Sequence, residues 1–73
     1  MNAVVKTFGE LTVGTVINYS NMTTAQDTDY VVLYQYEDQW GKWTKVLNKE
    51  TNEVDMFAQH TKTEIRWRIV KEN

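Results

Sequence analysis

Cysteine and proline are absent from this 73-residue chain, histidine occurs once and glycine three times. Without cysteine there is neither a disulfide nor a thiolate metal site. His60 by itself cannot build a histidine-based metal cluster. With so little glycine and no proline, no stretch reads as a flexible linker. No apolar run approaches the roughly 18 residues that a membrane-spanning helix needs. The opening MNAVVKTFGEL carries neither a long apolar core nor a small-residue cleavage site, so no secretory signal is expected. The sequons at Asn18 and Asn21 then read as chance matches, and the expected compartment is the cytoplasm. Charge of one sign is also scarce. A net charge of −2 lacks the basic excess of a non-specific duplex-DNA binder, and falls far short of the acidity of a phosphate-backbone mimic.

What the chain does have is apolar and aromatic content. Hydrophobic residues make up 41% and aromatics 12%, with three tryptophans and four tyrosines, too many for a disordered segment. At this length residues 1–73 form one domain near the lower size limit for independent folding. Its stability must come from packed side chains or a partner subunit.

Short β-rich runs alternate with polar turns along the sequence. Val13 to Tyr19 mixes β-branched and aromatic residues and reads as a strand, and the polar Asn21 to Asp29 as a loop. Asp29 to Glu37, DYVVLYQYE, is the clearest strand. Its successive Val31, Val32, Leu33 and Tyr34 suggest cover on both faces. A tight turn at Asp38 to Gly41 joins it to a partner strand, Lys42 to Asn48. A second turn, Asn48 to Glu53, offers Asn52 for a left-handed position. Val54 to Ala58 follows as a short strand with Val54, Met56 and Ala58 on one face. In Thr63 to Val70, Ile65, Trp67 and Ile69 share one face, and Glu64, Arg66 and Arg68 the other. Phe8-Gly9-Glu10-Leu11 reads as a one-turn lead-in that buries Phe8 and Leu11, and Ala3 to Val5 as an edge strand. No amphipathic pattern lasts long enough for a helix. The expected fold is all-β, a small antiparallel barrel or curled sheet of five to six short strands.

The run F-x-x-L-x-V-G-T from Phe8 to Thr15, then YVVLYQY, KVLN and TNEVDMF, resembles the small SH3-like β-barrel accessory proteins of bacteriophages. Asn52 stands where that pattern carries glycine. The resemblance covers most of the chain from Phe8 onward. It implies an SH3-like barrel encoded by a phage, acting by binding and modulating a host protein. Its motifs are turns and core anchors, so it transfers no functional residues.

Signatures of catalysis are missing: Ser20 is the only serine, and no G-x-S-x-G, phosphate loop or H-E-x-x-H occurs. His60 lies in a polar loop and is expected to be exposed. Asp27 and Asp29 could offer oxygens to a cation, but calcium sites want six or more, and turn formation accounts for them. The remaining candidate is aromatic and basic. Trp40 falls at a hairpin tip, where burial is difficult, and Lys42, Trp43 and Lys45 follow. Arg66 and Arg68 would join them if the last strand pairs near this hairpin. Such a set suits the contact surface of a protein partner. The alternative is a single-stranded DNA or RNA module on the same face, since small barrels hold bases by stacking beside cations. An open sheet edge adds a route to homodimerisation. The expectation is therefore a non-enzymatic interaction protein with no cofactor, no membrane partner and an unidentified host protein as target.

Overall fold

The computed structural model describes residues 6–63 and 66–73. The expected edge strand at Ala3 to Val5, and Glu64 and Ile65 of the last run, lie outside them. After a one-turn 3-10 helix at Phe8–Glu10 come five strands: β1 (Val16–Asn21), β2 (Gln26–Asp38), β3 (Gly41–Asn48), β4 (Val54–Ala58) and β5 (Trp67–Lys71). They form one antiparallel sheet in the order β4-β3-β2-β1-β5. The domain is all-β, with no α-helix among the described residues.

The turns follow from local chemistry. Gly41 takes a φ of 142° and Asn52 a φ of 63°, each at the position expected for it. The expected loop over Asn21 to Asp29 is shorter than its composition suggests. Most of it is strand, and the turn closes at Met22 to Ala25 with Ala25 at a φ of 56°. Val13 and Gly14 likewise belong to a turn, not to β1.

Inward-facing Ile17, Tyr30, Val32 and Val46 build the core with Phe8 and Leu11. The period of two breaks once. Val32 opposes Val46, but Tyr34 opposes Lys45, so Leu33 forms a bulge. Beyond it, Gln35 turns inward while Tyr34 and Tyr36 turn out, the reverse of an unbroken strand.

The sheet curls strongly without closing. Four strand spacings would put β4 and β5 roughly 19 Å apart in a flat sheet. Instead the ring centroids of Phe57 and Trp67 lie 5.3 Å apart on the concave side. Phe8 plugs this seam, stacked on Phe57 at 4.7 Å and edge-on to Trp67 at 5.3 Å. Its turn is fixed by the Gln35 amide, which donates to the carbonyls of Phe8 (2.9 Å) and Leu11 (3.0 Å). The Phe8 and Gly9 amides donate to the carbonyls of Thr61 and Gln59. Gly9 must be glycine for this approach, since a Cβ there would meet the Gln59 Cβ at 2.9 Å.

Candidate functional site

The convex face carries the most distinctive surface. Cross-strand register stacks it into three rows. Val16, Val31, Leu47 and Val54 form the first, from β1 to β4. Tyr34, Lys45 and Met56 form the second, and Tyr36, Trp43 and Ala58 the third. Lys45 is the only charged side chain in these rows. Tyr34, Val54 and Met56 are 49%, 51% and 52% exposed, so the face is open to solvent. Isolated exposed apolar residues are ordinary, but a contiguous apolar patch marks an interaction surface.

The side chains within it are held in place. The Tyr34 and Tyr36 rings lie 5.8 Å apart, and the Tyr36 hydroxyl donates to the Met56 sulfur at 3.0 Å. The Lys45 ammonium sits over the Tyr36 ring, 5.9 Å from its centroid. Trp43 is anchored by its indole N–H, which donates to Asp38 Oδ1 at 2.9 Å. The same oxygen accepts the Trp40 and Gly41 amides. These bonds, the indole's foremost, hold the Asp38 carboxyl below its ordinary pKa. One carboxylate thus shapes the hairpin tip and fixes Trp43 on the convex face.

The five sequence candidates do not form one surface. Trp40 projects from the tip, 77% exposed, and Trp43 is half-buried on the convex face. Lys42, between them and β-paired with Glu37, points to the other side of the strand. Arg66 and Arg68 are exposed, and the last strand pairs with β1, not with the hairpin. Arg68 opposes Asn18, which opposes Asp29, whereas Trp43 opposes Tyr36. Burial explains the pairing: Trp67 and Ile69 reach the core only by lying beside Tyr19 and Ile17. In their place the convex rows bring in Tyr34, Tyr36, Lys45 and Met56. Sequence reasoning had Lys45 in its aromatic-basic set but missed the two tyrosines, whose outward facing depends on the Leu33 bulge.

Other candidates resolve into structural roles. Asp27 and Asp29 accept the Asn18 side-chain amide at 2.6 and 2.8 Å, and Ser20 donates to the Asn18 carbonyl oxygen. Among the described residues no group of three or more acidic or histidine side chains is arranged to hold a metal ion. His60 is exposed in the turn after β4. No helix among the described residues is long and apolar enough to cross a membrane. No family model matches the chain, and neither does any curated protein or solved structure.

Proposed function

We propose that this domain is a non-enzymatic protein-binding module that engages its partner through the convex face of β2, β3 and β4. The observation that carries the reading is the register-aligned apolar surface around Tyr34, Trp43 and Met56. Tyrosine, tryptophan and methionine are the residue types enriched at protein interfaces. Lys45 supplies a single charge at the centre of the face, suited to one acidic group on the partner. Following the phage resemblance, the partner is a host protein that the domain modulates.

The single-stranded nucleic-acid alternative relies on Trp40, Lys42, Trp43, Arg66 and Arg68 acting together. Lys42 and Trp43 facing opposite sides of β3 weighs against that. The acidic balance of the chain weighs against it as well.

Capture by the tagged domain from bacterial lysate, with and without nuclease, tests the reading. A stoichiometric protein retained after nuclease is the expected result. Capture abolished by nuclease would transfer the case to nucleic acid. Trp40 adjoins the face and is exposed, so Trp40→Ala should weaken capture several-fold and shift the melting temperature by less than about 4 °C. Unchanged capture by that variant would remove Trp40 from the interface.

A further inference from the structure

The concave side holds a different feature. Beside the β4–β5 seam lies a cavity of about 320 Å³, lined by Tyr19, Gln26, Tyr30, Phe57 and Trp67. Trp67 is its centre. The Tyr19, Tyr30 and Phe57 rings stand 4.9 to 5.3 Å from the Trp67 centroid, inclined to its plane by 61°, 57° and 76°. Four rings thus meet at steep angles around one hollow.

The rim is acidic. Asp55 is two residues from Phe57 on the same face of β4, opposite Val46. Glu50 accepts the hydroxyl of Thr28, which shares its face of β2 with Tyr30. Burial first, and then Asp55 with a smaller contribution from Glu50, raise the pKa of the Tyr30 phenol. Among the described residues no lysine or arginine lines it. Lys49 belongs to the neighbouring hollow, with Asp27, Asp29 and Glu50.

Ring faces carry negative quadrupole potential and the carboxylates add to it, so the hollow favours a cation with an apolar shell over a neutral group of equal size. We propose that the Tyr19–Tyr30–Phe57–Trp67 cavity binds an alkylammonium group, either a small quaternary amine or a methylated lysine side chain. The site is independent of the convex face: none of its residues belongs to those rows, and either can fail alone.

The test is an NMR titration of the whole chain, following the Trp67 indole N–H. Its probes are choline, the neutral isostere 3,3-dimethylbutan-1-ol, and a short peptide carrying trimethyllysine. Choline should give saturable shifts and bind roughly fivefold to thirtyfold tighter than the isostere. Asp55→Asn, a change at an exposed residue, should weaken choline binding and leave the isostere unchanged. Tyr19→Leu should weaken choline more than the isostere. A peptide that binds tighter than choline identifies a protein-borne ligand, and the reverse identifies a free amine. Equal affinity for choline and its isostere, or no shift at Trp67 with any probe, would overturn the proposal.

Discussion

Asp38 is a single exposed carboxylate, yet one of its oxygens holds two amides of the hairpin tip and the Trp43 indole. These bonds favour its charged form, so its pKa in the fold lies below the ordinary 3.8. The sign of the consequence follows. A depressed carboxyl contributes stability above its unfolded pKa, and that contribution disappears as pH falls through the folded pKa. Asp38→Asn keeps an accepting oxygen but cannot titrate. Melting temperature measured from pH 6 to pH 2 should therefore fall less steeply for the variant in the acid limb, and the Trp43 indole resonance should lose its acid titration. Identical acid limbs would show that the indole bond is not maintained in solution. At this scale much was legible. Gly41 and Asn52 were readable because positive φ restricts residue choice locally, and Phe8 and Leu11 because a short aromatic-aliphatic lead-in has little else to bury. Ala25 was not readable, since alanine carries no signal for its left-handed backbone.

At the scale of the element, the Leu33 bulge decides most of what the sequence left hidden. Strict alternation from Tyr30 would send Val32, Tyr34 and Tyr36 to the core. One extra residue sends both tyrosines outward and turns Gln35 in, where it binds the carbonyls of Phe8 and Leu11 and accepts the Thr44 hydroxyl. Gln35→Leu would leave those groups unpaired inside the domain at a cost of about 2–3 kcal/mol, much of what a core this small supplies. Urea denaturation should show the loss as a lower midpoint at unchanged slope. A cost below about 0.5 kcal/mol would mean that the lead-in turn does not depend on this amide. The strands themselves were legible from composition and turns, and β4 matches its expected bounds of Val54 to Ala58. The pairing of β5 with β1 was not, because period two in Arg66 to Ile69 fixes which side chains face the core but not which strand lies alongside. That missing register is why Arg66 and Arg68 were grouped with a hairpin that their strand does not pair with.

For the whole molecule, curl joins the two surfaces. By rolling until Phe57 meets Trp67, the sheet gathers aromatics on the concave side around Phe8, and the convex side keeps Tyr34 and Met56 exposed and Tyr36 and Trp43 half-buried. A 73-residue domain can bury only a limited fraction of its surface, yet the three convex rows contain nine apolar or aromatic positions and one lysine. Retaining so apolar a face is costly for solubility, which is the physical case for a partner that covers it. The most direct test compares capture from nuclease-treated bacterial lysate by the native domain and by Met56→Glu. This change places a charge at an exposed position of the middle row without touching the core. The account predicts that the native domain retains a stoichiometric protein and that Met56→Glu, folded and with a similar melting temperature, loses it at least tenfold. Equal retention by both would show that the partner binds elsewhere and would contradict the convex face as the binding surface.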